Sequence, residues 1–303
     1  MALQLLADWL RCSGEWTEKS ADGLGVVRLM ILGDSIQPSG TPNSYGSTGS
    51  SYLTQQARYL TRNTEADSVT AMARFDAWLA TLPLGPGYVP SSSSPSNSRN
   101  GLPVDVLPGQ MDPTPQLLPQ QPIHAMTLPL AVSRAGGTRR GGLSGRTNPF
   151  MIKVFGRKVL ATSGQGILDL ELYSDLETPC DRMEATLLWG HLAPTCPDTI
   201  PGYPVEDDLL LLAQQRTEKG ALSCSPDYPD IYLAGCQPGT TVQWRRAALT
   251  WRQKMSTEQD TKKGSLLVAV PRFSLSFSFV LVHLETLDCR VIRFDCSALD
   301  SAD

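Results

Sequence analysis

A short segment near the start of the sequence has the residue types of a hydrolytic nucleophile. Residues 26–36 form an apolar run that leads into Gly33, Asp34 and Ser35. A strand end can present a hydroxyl at the edge of a sheet, where backbone amides stabilise an oxyanion. The pattern makes Ser35 a candidate nucleophile, and a Gly-Asp-Ser turn after a strand is the alternative interpretation.

This run into Gly-Asp-Ser resembles the first sequence block of the SGNH (GDSL-type) hydrolases, in which that serine is the nucleophile. The resemblance implies an ester hydrolase that uses Ser35. The family's last block supplies the catalytic base as D-x-x-H. None of the three histidines of this chain, His124, His191 and His283, has an aspartate three positions before it. We therefore predict that the chain is not an enzyme and keep an SGNH-like ester hydrolase as an alternative.

A second candidate site is rich in arginine and glycine. Residues 134–146 contain four arginines, five glycines and no acidic residue. Guanidinium groups on a flexible backbone can follow phosphates. The segment resembles the Arg/Gly-rich tails of RNA-binding proteins, which implies that an RNA-binding accessory protein is a further alternative. The candidate residues for contact with nucleic acid or a partner are Arg134, Arg139, Arg140 and Arg146.

A third pattern interleaves aromatic and cationic side chains. Trp244 is followed by Arg245 and Arg246, and Trp251 is followed by Arg252. This arrangement is typical of the solvent-exposed edge of a strand, and it also occurs on surfaces that bind nucleic acid or a protein partner.

The cysteines and histidines lack the spacing of a metal site. The chain has seven cysteines, none of them in a C-x-x-C pair, and three histidines. An odd number of cysteines in a long chain favours free thiols in a reducing compartment. We therefore predict neither a metal nor a cofactor.

Composition excludes several classes of protein. The net charge of −4 gives the whole chain no basic footprint for a polyanion. Apolar residues make up 41% of the chain, enough for a core, and charged residues only 18%, too few for a coiled coil. Because no apolar run reaches about 18 residues, we expect no membrane contact.

The positioning elements divide the sequence into three stretches. Residues 1–82 form a mainly helical segment, with predicted helices at 2–13, 52–62 and 65–82. In the last of these, Val69, Phe75 and Leu79 belong to one apolar stripe. Residues 83–150 contain 12 of the 23 prolines and are predicted to be a Pro/Ser/Gly-rich arm or linker. Such a segment is either disordered or an extended arm ordered by other subunits.

Residues 151–303 form a predicted β-rich domain. Strands are predicted at 151–155, 158–162, 167–173, 185–189, 231–234, 241–244, 266–270, 273–282 and 289–294, with one helix at 206–218. Because strands and helices do not alternate, an antiparallel β-sandwich or jelly-roll-like body is favoured. The predicted fold class is α+β, with a helical N-terminal part, an extended Pro-rich arm and this C-terminal body.

The whole pattern of helical segment, arm, Arg/Gly segment and β-rich body resembles the coat or shell proteins of icosahedral viruses, including the layered capsids of reovirus-like viruses. The resemblance implies a structural assembly protein, a viral capsid or outer-shell subunit. It implies self-association into a higher oligomer or shell, contacts with other structural proteins of the same particle and possible RNA contact. It also implies a place in the virion, after assembly in the host cytoplasm.

Overall fold

The computed structural model describes residues 2–19, 25–36, 62–85, 101–137, 142–203, 215–216, 222–223, 228–248 and 264–295. These residues fall into two compact units. The first unit takes residues 1–115, 121–147 and 294–303, and the second takes residues 116–120 and 148–293. Of the helices in the described ranges, none is both long and apolar enough to cross a membrane.

Helix α1 (Ala2–Lys19) confirms the predicted opening helix of the first unit. It continues past Gly14, where the sequence predicts its end. Leu6 and Leu10 are buried, whereas Leu3 is exposed. The buried side chains are four residues apart, so they lie on one face of the helix.

Helix α2 (Arg62–Thr81) confirms the predicted helix at 65–82, while the helix predicted at 52–62 falls almost entirely outside the described residues. Phe75 and Leu79 of the predicted stripe are buried, and Val69 at its beginning is exposed. The indole Nε1 of Trp78 donates to a main-chain carbonyl of α1 at 2.7 Å. The stripe therefore packs as predicted only over its second half.

A three-stranded parallel sheet completes the first unit. Its strands are β1 (Leu29–Leu32), β2 (Val104–Leu107) and β3 (Leu143–Gly145), in the order β1-β2-β3. All four residues of the central strand β2 are buried. Parallel neighbours need crossover connections, so the strands come from distant parts of the sequence.

The position of β2 corrects the prediction of an arm at 83–150. Residues 101–137 and 142–150 hold this central strand, and much of their length is buried within the chain itself. The interpretation as an arm or linker is therefore wrong for these residues. The prolines lie mainly outside helices and strands, between short buried pieces, which hides any helical or strand period. The division into domains at 82 and 150 otherwise stays a prediction.

A short helix in this segment is capped by a side chain of α2. A 3-10 turn (Ala125–Thr127) precedes helix α3 (Pro129–Arg134). The buried carboxylate of Asp76 accepts the backbone N–H groups of Leu130 and Ala131 at 3.0 and 2.8 Å. These N–H groups have no partner inside the helix, so a carboxylate satisfies them well.

The second unit contains nine strands in its described residues. They are β4 (Phe150–Val154), β5 (Arg157–Thr162), β6 (Gln215–Arg216), β7 (Leu222–Ser223), β8 (Ile231–Gln237), β9 (Gln243–Ala248), β10 (Gly264–Pro271), β11 (Ser278–Val282) and β12 (Cys289–Arg293). Five of them form one sheet in the order β4-β5-β8-β10-β9. The pairs β6–β7 and β11–β12 form separate two-stranded sheets.

The main sheet is mixed. Strands β5, β8 and β10 run parallel, and only the edge strands β4 and β9 pair antiparallel. The predicted strands at 151–155, 158–162, 231–234, 241–244, 266–270 and 289–294 are confirmed with small shifts of their ends. The prediction of antiparallel pairing is wrong at the centre of the sheet. The assignment to the α+β class with a jelly-roll-like body stays a prediction.

Helix α4 (Gln165–Tyr173) replaces the strand predicted at 167–173. Ile167 and Leu170 are buried three residues apart, while Leu172 is exposed. An alternation over five residues fits a short amphipathic helix nearly as well as a strand. Gly164 adopts φ +85° just before the helix, and an added Cβ there would lie 2.1 Å from a carbonyl oxygen of β8.

Helix α5 (Pro179–Trp189) replaces the strand predicted at 185–189. Thr178 and Asp181 form a reciprocal capping box, Pro179 occupies the first turn, and Gly190 ends the helix with φ +70°. These are strong helix signals that the sequence contains and that the strand prediction overlooks.

The buried core of the second unit lies between these helices and the sheet. Met183 and Leu187 of α5 belong to one cluster with Leu160, Tyr232 and Leu267 of the sheet, and all five are fully buried. The side of the sheet that carries Tyr232 and Leu267 therefore faces α5.

Two further predictions for this unit need correction. The strand predicted at 273–282 is a helical turn, α6 (Phe273–Ser276), followed by β11, because Phe277 adopts φ +46° and interrupts the extended backbone. The helix predicted at 206–218 falls outside the described residues except at 215–216, which pair as a strand.

Candidate functional site

Two loops lie at the carboxyl ends of the parallel strands β1 and β2. Residues 33–36 follow β1, with φ values of +87° at Gly33 and +48° at Asp34. Residues 108–112 follow β2 and end at Asp112. Because β1 and β2 are parallel neighbours, both loops leave the sheet at the carboxyl ends of the strands, where ligand sites of parallel sheets usually lie.

Each loop carries an aspartate that accepts a hydrogen bond from the other loop. Asp34 Oδ1 accepts the backbone N–H of Met111 at 2.9 Å. Asp112 Oδ1 accepts that of Ile36 at 2.9 Å, and its Oδ2 accepts that of Gly109 at 2.7 Å. We call the two carboxylates and these three N–H groups the aspartate clasp. Two of these hydrogen bonds join the loops, and the one from Gly109 lies within the second loop.

The clasp depends on the absence of a side chain at Gly109. A Cβ at this position would lie 2.2 Å from the backbone nitrogen of Asp34 and 2.3 Å from its Oδ1. Both distances are far shorter than a van der Waals contact. Glycine is therefore needed here for the close approach of the two loops.

Burial and charge repulsion perturb the ionisation of Asp112. Its side chain is almost fully buried. Desolvation, followed by the nearby charge of Asp34, raises the pKa of Asp112 to about 7, although hydrogen bonds from backbone N–H groups oppose the shift. Perturbed carboxyl groups occur in catalytic sites and in structural networks alike. The partners here are main-chain groups, which indicates a joint between loops.

Ser35 lies inside the clasp but lacks the surroundings of a nucleophile. Its hydroxyl is buried and has no hydrogen-bond partner among the described residues. The Nδ1 atoms of His124, His191 and His283 each accept a backbone N–H two or three residues further along the chain. The histidines thus serve local turns. The predicted turn after a strand describes Ser35 better than the predicted nucleophile.

The described part of the chain places no three His, Cys, Asp or Glu side chains where they could hold a metal ion together. Among the clasp oxygens, Asp34 Oδ1 and both oxygens of Asp112 already accept N–H groups. Chemically, the arrangement fixes two loops against each other.

The structure separates the four candidate arginines. Arg146 Nε lies 2.7 Å from the fully buried Asp105 of β2, whose other oxygen lies 2.5 Å from Arg28. Arg134 is exposed at the end of α3, and Arg139 and Arg140 lie outside the described residues. Arg146 therefore neutralises a buried charge of the sheet.

Sequence reasoning missed Asp112. A signal was present, because Asp112 follows the apolar strand at 104–107 through a Pro-Gly turn, much as Asp34 follows 29–32 through a glycine. Two strand-then-Gly-then-Asp patterns would meet if the strands were parallel neighbours. The interpretation of residues 83–150 as an arm or linker hides this possibility.

Comparison with known proteins places the chain. The family model for the B subunit of DNA polymerase alpha/epsilon matches residues 19–242. The chain belongs to this family. The three-stranded sheet, strands β4, β5 and β8 of the main sheet and the aspartate clasp lie within the matched residues.

The relatives are small subunits of one type of polymerase. The chain is 31% identical to DNA polymerase delta subunit 2 of Drosophila melanogaster, over 98% of this chain and 56% of the relative. It is 32% identical to the DNA polymerase delta small subunit of Oryza sativa, over 65% of this chain and 39% of the relative. For the Saccharomyces cerevisiae small subunit, the identity is 28% over 66% and 41%. The chain spans about half the length of the first of these relatives.

Membership of this polymerase family overturns the functional predictions. The resemblance to a viral coat protein is wrong, and so are a capsid function, shell partners and a place in the virion. The alternatives, an SGNH-like hydrolase at Ser35 and an RNA-binding accessory protein, are wrong as well. Likeness of organisation misleads here because the proline content of residues 101–137 suggests an arm, although these residues fold within the chain.

Proposed function

We propose that the chain is a non-catalytic small subunit of a delta-type DNA polymerase, which acts by binding the larger subunit of that enzyme. The similarity to DNA polymerase delta subunit 2 of Drosophila melanogaster over nearly the whole chain supports this function. In this function the larger subunit carries out DNA synthesis, and this chain binds the larger subunit through its surface.

One observation carries the non-catalytic part of the proposal. The acidic groups at the carboxyl ends of the parallel strands, where this architecture usually binds a ligand, already accept backbone N–H groups of the two loops. A general acid or base must reach the substrate with a free oxygen. Asp112 has both oxygens engaged, and no base among the described residues bonds to Ser35.

The test is co-expression of the full chain with the large subunit of the polymerase from the same organism. We expect a stable complex on size-exclusion chromatography and nucleotide incorporation on a primed template only when the large subunit is present. Ser35→Ala should leave incorporation by the complex unchanged. Absence of a complex, or incorporation by this chain alone, would refute the proposed function.

A further inference from the structure

The two carboxyl groups of the aspartate clasp approach the same short piece of backbone. Asp112 Oδ2 accepts the N–H of Gly109 at 2.7 Å, and a Cβ on Gly109 would lie only 2.3 Å from Asp34 Oδ1. Asp34 Oδ1 also accepts the N–H of Met111, the residue next to Asp112. The two groups are therefore close enough for a negative charge on Asp34 to disfavour one on Asp112.

The elements around the clasp carry no cation that would offset these charges. Residues 29–36, which are β1 and its loop, contain Asp34 and no Lys, Arg or His. Residues 104–112, which are β2 and its loop, contain Asp105 and Asp112 and again no basic residue. Arg28 and Arg146, which come from outside these two segments, pair with Asp105. An ionised Asp112 would thus face the charge of Asp34 without a basic partner from these elements.

A hydroxyl in the first loop suits a protonated Asp112. The backbone N–H of Ser35 also acts on Asp112, and Ser35 Oγ is buried without a hydrogen-bond partner among the described residues. A carboxyl group that keeps its proton has an O–H to donate, whereas a carboxylate can only accept. Asp34 and Ser35 both provide oxygen acceptors in the loop that faces Asp112.

The backbone of the first loop is held in a conformation of raised energy. Gly33 has φ +87° and Asp34 has φ +48°. The left-handed region costs a residue with a side chain about 1–2 kcal/mol. The hydrogen bonds between the loops offset this cost while they are formed. The same loop is therefore the part that can leave its position when those bonds weaken.

We propose that the clasp is a proton-dependent switch: loops 33–36 and 108–112 stay joined while Asp112 carries a proton, and they separate locally once that proton leaves to solvent. Loss of the proton places two negative charges side by side in a buried position. Separation of the loops lets water reach both carboxylates, without unfolding the rest of the unit. Because the pKa of Asp112 is raised to about 7, the switch responds to pH below and near neutrality. This inference does not depend on the proposed function.

The first test is the titration of Asp112 in the full chain, followed by the carbon-13 shift of labelled aspartate carboxyl groups. The resonance that is missing in Asp112→Asn identifies the group, and we expect its midpoint at about pH 7. Asp34→Asn removes the neighbouring charge and keeps an oxygen for the N–H of Met111, so it should lower the midpoint by about one pH unit. A wild-type midpoint near the ordinary value of 3.8, or an unchanged midpoint in Asp34→Asn, would overturn the inference.

The second test is amide hydrogen exchange, which measures the opening itself. The N–H groups of Ile36 and Met111 report it, because each bonds to a carboxyl group of the opposite loop. After correction for the intrinsic pH dependence of exchange, their protection should fall about 100-fold between pH 5 and pH 7 and then level off. The reason is that one released proton shifts the opening equilibrium tenfold per pH unit between the pKa values of the open and closed forms. Constant protection over this range would contradict the switch.

Two controls separate local opening from general unfolding. Asp112→Asn has no proton to lose, so Ile36 and Met111 should keep the same protection at pH 5 and pH 7. The N–H groups of Leu130 and Ala131, which bond to Asp76 in the same unit, serve as the reference within the wild type and should change little.

A parallel loss of protection at the clasp and at the reference amides would mean that the whole unit opens, and it would overturn the local switch. The wild-type profile decides this point without any variant. Circular dichroism checks that Asp34→Asn and Asp112→Asn are folded. A pH-dependent loss of protection at Ile36 and Met111 that persists in folded Asp112→Asn would assign the titration to another group and refute the inference.

Discussion

The aspartate clasp and the edge strand β9 use polar groups in opposite ways. In the clasp, Asp34 and Asp112 direct their oxygens onto the backbone of the same chain. At the edge, Trp244 and Arg246 direct backbone groups away from the sheet. Buried polar groups that are paired internally hold a fold together, whereas outward-directed groups at a surface remain available to a partner.

The difference between the two regions agrees with the proposed non-catalytic function. The carboxyl ends of parallel strands are the usual place for a ligand or catalytic site. In this chain, the loops at that position are held to each other by hydrogen bonds. The comparison predicts large effects on stability at the clasp and small ones at β9.

The largest effect is expected for Asp112→Ala. The substitution leaves the buried N–H groups of Gly109 and Ile36 without acceptors, at about 1–3 kcal/mol each. We expect urea unfolding at pH 6 to show a loss of about 3–4 kcal/mol in total. Asp112→Asn keeps one acceptor and should lose about half as much. Equal stability of wild type and Asp112→Ala would show that the clasp does not stabilise the fold.

The pH dependence of stability should follow the raised pKa of Asp112. The folded chain keeps a proton on Asp112 up to about pH 7, whereas the unfolded chain releases it near the ordinary pKa of 3.8. The stabilisation that the protonated Asp112 gives the folded chain is therefore fully present below the unfolded pKa of 3.8 and is lost as the pH rises through 7. Unfolding free energy should fall by up to about 1.4 kcal/mol per pH unit in this window.

Asp112→Asn supplies the control for this profile. It has no proton to release, so the difference in unfolding free energy between wild type and variant should change with pH only between about 4 and 7. If the two profiles run parallel across this range, the assignment to Asp112 fails.

A smaller effect is expected at the arginines of residues 134–146. Arg146→Ala removes one of two partners of the buried Asp105 and should cost about 1–2 kcal/mol, since Arg28 remains. Arg134→Ala changes an exposed side chain and should stay within about 0.5 kcal/mol. Thermal unfolding of the two variants compares them directly, and equal losses would mean that the ion pair at Asp105 does not stabilise the sheet.

The smallest effect on stability is expected at β9. Trp244→Ala should change the free energy of unfolding by less than about 1 kcal/mol, because nearly half of the side chain is already exposed. Urea unfolding of the wild type and the variant measures this difference. A loss of unfolding free energy as large as that of Asp112→Ala would show that Trp244 stabilises the fold as a core residue does. It would contradict the difference between β9 and the clasp.

Much of the secondary structure follows from local patterns in the sequence. The stripe of Phe75 and Leu79 predicts α2, and the apolar run at 266–270 predicts β10. Helix α5 could have been predicted from Thr178-Pro179 and Asp181, the capping signals at its start. Alternating Leu and Asp or Glu at 168–172 fits both periods, so α4 could not be decided locally.

The candidate site was less accessible to sequence reasoning. Asp34 and Asp112 are 78 positions apart in the numbering of the chain, and only the parallel pairing of β1 and β2 brings their loops together. Proline density in 101–137 suppressed the strand signal of β2, whose four residues suffice because the strand is central and buried. Pairing between strands so far apart in the sequence cannot be recognised from a short stretch of residues.

The most direct test of the account is light scattering coupled to size-exclusion chromatography of the full chain co-expressed with the large polymerase subunit. The account predicts one particle with the summed mass of both chains and with DNA synthesis contributed by the partner alone. Two separate peaks, or DNA synthesis in the peak of this chain, would contradict it.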